Sequence, residues 1–291
     1  MVVLVTGANG QLGQAIQSIS KKHPEVAFVF CDSSILDITN LININQVFNQ
    51  VKPNYCINTA AYTAVDKAEI EIEKAYLINV IGAKNLAEAC KENSTILLHV
   101  STDFVFDGNT TSILEKNGYT EEDIPNPTGV YGQTKLDGEK VIQETFDHYF
   151  IIRTSWVYSK FANNFMKTML RLGSERESLS VVNDQIGTPT NAVDLAEALI
   201  KIILYTEYSR NDNSSDSNFG IYNFSNEGQC SWYDFAKKIF EENTITIDLK
   251  PIPTRSYPTP AKRPSFSVLD KTKIKRVFGL QINKWEDSLQ K

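Results

Sequence analysis

The chain has 291 residues, of which 42% are apolar and 22% are charged, and its net charge is −6. This length can bury a sizeable core, as one large domain or as two unequal ones. The acidic balance argues against a nucleic-acid partner, because neutralising phosphates requires a basic face. No apolar run approaches the roughly 20 residues of a membrane span and no signal peptide is visible, so we expect a cytoplasmic protein without a membrane partner.

Cysteines and histidines are few and scattered along the chain. None of the cysteines forms a C-x-x-C pair, and the histidines are equally dispersed. These residues are Cys31, Cys56, Cys90, Cys230, His23, His99 and His148. Their distribution indicates a reduced chain without structural zinc, and we expect no metal site.

The first predicted elements are a strand, a glycine turn and a helix. A β-branched run at residues 2–6 leads into Gly7-x-x-Gly10-x-x-Gly13, and residues 14–22 have a helical pattern. This order is the context of a dinucleotide site, where the backbone approaches a pyrophosphate at a helix N-terminus. The spacing differs from G-x-G-x-x-G, and a glycine-rich turn that binds nothing is the alternative.

An acidic residue follows the second predicted strand, at residues 26–30. Asp32 stands about 20 positions beyond the turn, where a carboxylate commonly binds the adenosine ribose hydroxyls. Its charge would repel the 2′-phosphate of NADP, whereas Ser33 and Ser34 could offset that repulsion by hydrogen bonding. The sequence therefore leaves the choice between NAD and NADP open.

Strands and helices continue to alternate. A helix opened by Asp37 and Ile38 ends before Pro53, and strand, helix and strand follow at residues 55–58, 69–92 and 95–100. Small residues after the third strand, at 59–63, would let a cofactor lie against the backbone. The pattern predicts an α/β fold with a doubly wound, Rossmann-like parallel sheet.

A tyrosine and a lysine stand four positions apart after a proline-punctuated loop. Residues 134–146 have the apolar spacing of a helix, so Tyr131 and Lys135 would share one face. An ammonium beside a phenol favours the ionised form, so we expect Lys135 to lower the pKa of Tyr131 and make it a proton donor. A Y-x-x-x-K pair on its own also occurs by chance.

The remainder of the chain predicts a smaller unit of mixed α/β type. A fifth strand at 149–154 completes a dinucleotide-binding domain at residues 1–155. Residues 156–291 form mainly a substrate-binding domain, of which some segments can return to the main sheet. Its predicted helices are 163–172, 192–204 and 232–242, its strands 179–182, 220–224 and 245–249, with a flexible loop at 209–218 and an extended stretch at 251–264.

Three strand or loop ends then converge on one crevice: the glycine turn, residues 101–103 and the Tyr131 helix. Thr102 and Tyr131 could hydrogen-bond the same carbonyl oxygen while a reduced nicotinamide delivers a hydride to its carbon. Lys135 would lower the pKa of the Tyr131 phenol and bind the nicotinamide ribose. Thr102 capping a turn is the simpler alternative.

On these motifs the chain resembles the extended short-chain dehydrogenase/reductase superfamily over nearly its whole length. Within it, several strings are similar to those of the dTDP-4-dehydrorhamnose reductase family. They are VTGANGQLG (5–13), STDFVFDG (101–108), VYGQTKL (130–136), RTSWVY (153–158), DQIGTPT (184–190) and RPxxSxLD (263–270). The resemblance implies NADPH- or NADH-dependent reduction of the 4-keto group of dTDP-6-deoxy-L-lyxo-4-hexulose to dTDP-L-rhamnose.

The resemblance also implies roles for individual residues. Cofactor contacts are expected at Gly7, Gly10, Gln11, Leu12, Gly13, Asp32, Asp37, Ile38, Ala61, Tyr62, Thr63, Val100, Tyr131 and Lys135. Substrate contacts are expected at Thr102, Asp103 and Trp156, whose ring can stack on a sugar. Arg263 is a candidate for the substrate diphosphate, with an interdomain salt bridge as the alternative.

Two departures refine the expectation. Some family members bind magnesium at a dimer interface through a glutamate two positions after the last glycine; here that residue is Ala15, so magnesium is doubtful and we expect a monomer or weak homodimer. A 4,6-dehydratase would carry a glutamate where this chain has Phe104, which favours simple reduction. An epimerase, or a non-catalytic subunit similar to the methionine adenosyltransferase β subunit, remains as an alternative.

Overall fold

The computed structural model describes residues 1–109, 117–211 and 218–290. The strands are β1 (Val2–Thr6), β2 (Ala27–Cys31), β3 (Tyr55–Asn58), β4 (Ile96–Thr102), β5 (Tyr149–Thr154), β6 (Val157–Tyr158), β7 (Ser178–Val182), β8 (Ile186–Gly187), β9 (Thr190–Asn191), β10 (Gly220–Asn223), β11 (Cys230–Ser231) and β12 (Asp248–Ile252).

The helices are α1 (Gln11–Ile19), α2 (Leu41–Val51), α3 (Val65–Ala68), α4 (Ile72–Tyr76), α5 (Gly82–Glu92), α6 (Val130–Thr145), α7 (Phe165–Glu175), α8 (Ala192–Asn211), α9 (Trp232–Glu242), α10 (Thr272–Phe278) and α11 (Trp285–Ser288). Short 3₁₀ turns lie at Ser20–Lys22, Asp103–Val105 and Thr254–Ser256, and a π turn at Leu77–Ile81 joins α4 to α5.

Six strands form the central sheet, in the order β10-β5-β4-β3-β1-β2. All neighbouring pairs are parallel. The strand order reverses between β1 and β3, and in open α/β sheets ligands bind at the carboxyl ends beside such a reversal. The predicted doubly wound parallel sheet is confirmed.

Helices cover both faces of this sheet, so alternate strand residues are buried on opposite sides. Val3 and Val5 pack with residues of α1, α8 and α10 on one face. Leu4 packs with residues of α2, α5 and α6 on the other. The strands therefore consist almost wholly of apolar residues in their central positions.

The part of the chain after residue 155 contributes to two cores. Helices α7 and α9 pack around Phe235, beside the parallel pair of β7 and β12. By contrast, α8 packs against α1, and β10 pairs with β5 at the edge of the large sheet. Residues from both halves are thus needed to complete the six-stranded sheet.

Several predicted boundaries were wrong for identifiable reasons. The helix expected from Asp37 begins at Leu41, because the Asn40 side chain caps it by accepting from the N–H of Asn43. The helix expected at 69–92 is divided by the π turn. The strand expected at 245–249 lies at Asp248–Ile252 and includes Pro251, which an edge strand tolerates.

Three further expectations concern the loop at 209–218, the cysteines and a membrane span. Of the loop expected at 209–218, residues 209–211 extend α8, and 212–217 lie outside the described residues. All four cysteines are free and buried. In the part of the chain that the structure describes, no helix is both long and apolar enough for a bilayer crossing.

Candidate active site

The residues predicted for the site lie at the carboxyl ends of the central strands. Gly7–Gly13 follow β1, Asp32 follows β2, residues 61–63 follow β3, and Trp156 follows β5. Thr102 is the last residue of β4, and Tyr131 and Lys135 are in the first turns of α6. The topology therefore gathers these segments along one edge of the sheet.

The glycine turn brings backbone closer together than a side chain would allow. Gly7 has φ +63°, and a Cβ at Gly13 would come within 2.5 Å of the Gly7 carbonyl oxygen. Gly10 precedes α1, and no side chain caps that helix. The first N–H groups of α1 are therefore available to an anion, which is the cradle that a pyrophosphate requires.

Two other predicted turn residues are used within the fold. The Gln11 side chain accepts from Ser159 Oγ at 3.0 Å and from Asn164 Nδ2 at 2.9 Å, so it ties the turn to the segment after β6. Leu12 is buried in the core with α8. The side chains of both residues therefore hold the fold together, and their backbone N–H groups are what they can offer to a cofactor.

Asp32 is held in one orientation by its neighbours. Its Oδ1 accepts from Ser34 Oγ at 2.6 Å and from the Ser34 N–H at 2.9 Å, and Asn9 Nδ2 donates to Oδ2 at 2.7 Å. The Ser34 hydroxyl, followed by its N–H, lowers the pKa of Asp32. The carboxylate is thus ionised at the end of β2. Asp37, in contrast, accepts from Thr39 and serves its own turn.

The segment after β3 is fixed by the π turn. Asn79 accepts from the N–H of Tyr62 at 2.8 Å and donates to the Tyr62 carbonyl at 3.2 Å. The same amide donates to Thr134 Oγ1 at 3.1 Å, one residue before Lys135. Asn79 therefore links Tyr62, in the segment after β3, to α6. Ile38 is buried, and its carbonyl accepts from Asn85.

Thr102 lies near Tyr131 and also caps a turn, the simpler of the two roles expected for it. The Thr102 hydroxyl donates to Asp103 Oδ1 at 3.1 Å and accepts from the Phe104 N–H at 3.2 Å, so it caps the turn at Asp103–Val105. The Tyr131 phenol lies near this hydroxyl. Phe104 packs edge-on to the Tyr131 ring, with centroids 5.6 Å apart and planes at 71°. A hydroxyl, a phenol and a carboxyl thus cluster beside an aromatic wall.

Asp103 is a buried carboxyl at this cluster. Burial raises its pKa to about 6, although hydrogen bonds from Ser267 and Thr102 oppose the shift. Ser267 belongs to the RPxxSxLD string and comes from the far end of the chain. The C-terminal segment therefore lies beside the carboxyl group that neighbours Tyr131.

The expected effect of Lys135 on Tyr131 was wrong. Burial raises the pKa of Tyr131 to about 12, and the hydrogen bond with Thr102 only partly opposes it. Lys135 instead contacts His99 Nε2 at 3.1 Å and donates to the Val100 carbonyl at 2.8 Å. Burial lowers the pKa of Lys135 to about 8. The phenol is therefore protonated at neutral pH, as a proton donor must be.

A second group of polar side chains lies one turn further along α6. Glu139 is completely buried and binds Arg153 through Nη2 at 2.6 Å and Nε at 3.0 Å. Ser101 Oγ donates to Glu139 Oε1 at 2.5 Å. Asn58, His99 and Lys135 together with Ser101, Glu139 and Arg153 are termed the buried polar layer below. Apart from Lys135, and Ser101 as part of the segment 101–103, the sequence assigned no role in the site to these residues.

Trp156 and Arg263, the other predicted substrate contacts, already have partners. Trp156 has φ +46° and stacks on Trp232, with ring centroids 3.6 Å apart and planes at 8°. Arg263 forms a bidentate pair with Asp66, at 2.7 Å and 3.0 Å. Of the two readings of Arg263, the salt bridge is the contact found, and it joins the C-terminal segment to α3.

Within the described residues, no cluster of three or more His, Cys, Asp or Glu side chains is arranged to hold a metal ion. The position that would offer a glutamate to magnesium is Ala15, which is buried in the core between α1 and α8.

Comparison with known proteins places this geometry in context. The family model described as "RmlD substrate binding domain" matches residues 1–291. The dTDP-4-dehydrorhamnose reductase of Aggregatibacter actinomycetemcomitans is 42% identical, covering 99% of this chain and 97% of the relative.

Solved structures agree with the sequence comparison. A dTDP-4-dehydrorhamnose reductase ortholog from Clostridium acetobutylicum is 43% identical, with a TM-score of 0.91 over 100% of this chain and 97% of that one. The Bacillus anthracis enzyme, in complex with NADP, is 41% identical, with a TM-score of 0.90 over 99% and 97%. Since the similarity extends over both halves of the molecule, this chain belongs to the dTDP-4-dehydrorhamnose reductase family.

Proposed function

We propose that this chain reduces the 4-keto group of dTDP-6-deoxy-L-lyxo-4-hexulose to give dTDP-L-rhamnose, with Tyr131 as the proton donor. The observation that carries the proposal is the position of the buried Tyr131 phenol near Thr102 and Asp103 at the end of β4, against the Phe104 ring. The phenol and the Thr102 hydroxyl can bind one carbonyl oxygen and stabilise the negative charge that develops on it. A Tyr131 pKa of about 12 keeps the donated proton in place until that charge appears.

The glycine turn fits a dinucleotide cofactor. A Cβ at Gly7 or Gly13 would collide with backbone atoms, and the uncapped start of α1 offers N–H groups to a pyrophosphate. Bound NADPH or NADH supplies the hydride. Asp32 would bind ribose hydroxyls, with Asp37, Ile38, the segment 61–63 and Val100 nearby, and the Ser34 and Asn9 groups around Asp32 leave either cofactor admissible.

The substrate would lie against the remaining predicted residues. Asp103 and Trp156 are positioned at the ends of β4 and β5, and Arg263 would contact the diphosphate only by leaving or sharing Asp66. We place the cofactor domain at residues 1–155 and the mainly substrate-binding domain at 156–291. A monomer or weak homodimer without magnesium accords with Ala15.

Other functions are less well supported. The Phe104 ring, packed on Tyr131, cannot move protons as the glutamate of a dehydratase does. A non-catalytic subunit has no need for Thr102 beside Tyr131 and Lys135, of which the last two have shifted pKa values. An epimerase would release the cofactor unchanged, so net consumption of cofactor separates it from a reductase.

The test is the consumption of NADPH or NADH, followed by nicotinamide absorbance, with freshly prepared dTDP-4-keto-6-deoxy sugar. We expect turnover with dTDP-L-rhamnose as product, identified by chromatography against a standard. Cofactor binding without turnover would favour the non-catalytic subunit. A product with the other C4 configuration would reassign the face of the carbonyl that the hydride attacks.

A further inference from the structure

The helix α6, which carries Tyr131 and Lys135, begins without a cap of its own. Its N-cap residue is Gly129, which has no side chain, and among the described residues its first turn, 130–133, holds no acidic side chain. The first N–H groups of a helix have no partner within the helix, so an uncapped first turn frays readily. Tyr131 is the second residue of α6 and therefore lies within that turn.

A carboxylate from elsewhere in the fold takes the place of the missing cap. Glu69 Oε1 accepts from the Val130 N–H at 2.9 Å, although the two residues are 61 positions apart. Glu69 directly follows α3 and is half-buried. A carboxylate at this position satisfies one of the unpaired donors of α6, and its charge interacts favourably with the positive end of the helix dipole.

The glycine at position 129 leaves room for this contact. A Cβ there would lie 2.8 Å from Glu69 Oε1 and 3.9 Å from Glu69 Cδ, and it would meet no other segment of the described fold within 4 Å. The backbone at Gly129 is extended, with φ −150°, so alanine can adopt the same conformation. A side chain at this position would therefore displace the carboxylate and nothing else.

The short helix before Glu69 is itself fixed to the rest of the molecule. Asp66 of α3 accepts from Arg263 Nη2 at 2.7 Å and from Arg263 Nη1 at 3.0 Å. Ala68, the last residue of α3, belongs to a small buried cluster against which Tyr131 packs. Glu69 is thus carried by an anchored element, so it can fix the start of α6 relative to the sheet.

We propose that Glu69 is a positioning residue for Tyr131. By binding the Val130 N–H it keeps the first turn of α6 wound, and it thereby holds the phenol at the distance from the carbonyl oxygen that proton transfer requires. The proposal rests on the reductase function proposed above, in which Tyr131 is the proton donor. Glu69 acts through the backbone of α6, without touching the substrate.

Removal of the carboxylate is the first test. In Glu69→Ala we expect kcat of keto reduction to fall at least about tenfold, because a displacement of the donor by about 1 Å suffices for such a loss. The KM for the keto sugar should change less than about twofold, since the lost interaction acts in the transition state. Glu69→Gln keeps an oxygen acceptor and should restore kcat to within about threefold. The exposed Glu73→Ala of α4 is the matched control and should leave kcat unchanged.

Gly129→Ala perturbs the same contact from the opposite side. The new methyl group would push the carboxylate away from the Val130 N–H, so we expect a loss of kcat comparable to that of Glu69→Ala. Once the carboxylate is absent the methyl group meets open space, so the double variant should lose little more than either single variant. Such non-additivity indicates one shared contact. Losses that multiply in the double variant would overturn the proposal.

NMR measurement of the exchange of the Val130 amide hydrogen with solvent separates the possible failures. We expect this exchange to be at least about fivefold faster in Glu69→Ala and in Gly129→Ala than in the unaltered protein. Faster exchange with an unchanged kcat would make the cap purely structural, and unchanged exchange would remove the contact; either result overturns the proposal. If Glu69→Ala does not fold, Gly129→Ala alone decides. Absence of turnover in the unaltered protein would refute the reductase function, and the capping contact would then stand on the exchange rates.

Discussion

The glycine turn and the buried polar layer serve the same crevice but are built in different ways. The turn is contiguous backbone, and its shape follows from residues that lack a side chain. The layer is assembled from side chains of β3, β4, β5 and α6, which are distant in sequence. A short sequence motif therefore predicts the glycine turn, whereas no local sequence pattern predicts the buried polar layer. Variants of each region, and of the residues between them, test this difference, and the largest effect is expected first.

The largest effect is expected in the buried polar layer, at Glu139. Glu139→Gln removes the charge that compensates Arg153, both of which are at most 2% exposed. Removing one partner of a buried ion pair typically costs about 3–5 kcal/mol of unfolding free energy. Urea unfolding measures this loss, with the exposed Glu144→Gln of the same helix as control. Equal stability of the two variants would show that the pair is dispensable.

Tyr131→Phe tests the proposed proton donor. We expect cofactor binding to persist and kcat to fall at least about 100-fold, because the proton donor is lost while the ring remains. This corresponds to about 2.7 kcal/mol in the barrier. Stopped-flow kinetics and a fluorescence titration with NADPH give the two quantities. Near-normal turnover would remove Tyr131 as the donor.

Gly13→Ala tests the turn. Its Cβ would lie 2.5 Å from the Gly7 carbonyl oxygen and 2.6 Å from Ala8 Cα, so backbone has to move. Overpacking of this kind costs about 1–3 kcal/mol, and cofactor affinity should fall as well. Gly10→Ala is the milder comparison, because its Cβ would meet the Gly7 oxygen at 3.2 Å. Calorimetric titration with NADPH would contradict the prediction if both variants bound equally.

Asp103→Asn should raise the free energy of unfolding at neutral pH and lower the reductase activity. With a folded pKa of about 6 above the ordinary 3.8, Asp103 binds its proton more tightly when folded. Its contribution to stability therefore falls as pH rises from about 4 to about 6, and a charged Asp103 is unfavourable at pH 7. We expect a gain of roughly 1–3 kcal/mol at pH 7, vanishing near pH 4, with loss of reductase activity. Thermal melts at the two pH values would refute this if the gain were equal at both.

The smallest stability effect is expected at the pair of Arg263 and Asp66, which is partly exposed. Asp66→Asn should cost less than about 1 kcal/mol. If Arg263 binds the substrate diphosphate, Arg263→Ala raises KM while Asp66→Asn leaves it unchanged or lowers it. Steady-state kinetics on both variants compare them directly. A similar rise in KM for both would assign Arg263 to the salt bridge alone.

Sequence reasoning succeeded where chemistry is local. The parallel sheet follows from apolar runs joined by helical segments, and the proximity of Thr102 to Tyr131 follows from strand ends meeting at one edge. It failed for Lys135, whose environment depends on His99, a strand residue that could equally be a core side chain. It also missed Ser267, because nothing near residue 267 indicates that it reaches Asp103.

The predicted helix boundaries were wrong where one side chain competes with the helical pattern. Asn40 caps α2 and so delays its start, while Asn79 binds the backbone of Tyr62 from within a π turn. Both effects depend on a single amide whose partner is chosen by tertiary packing. The stacking of Trp156 on Trp232 belongs to the same class, since the two residues are 76 positions apart in the chain.

The position of β10 has a consequence for how this molecule is synthesised. Its partner β5 leaves the ribosome long before β10 does, and the helix α8 that covers α1 also arrives late. Until then, the edge of β5 and the apolar face of α1 are exposed to solvent. Pairing of such late strands is slow, and unpaired edges favour aggregation. A nascent chain stalled near residue 155 should therefore remain bound to chaperones. A chain stalled after residues 192–223 have emerged should no longer bind them.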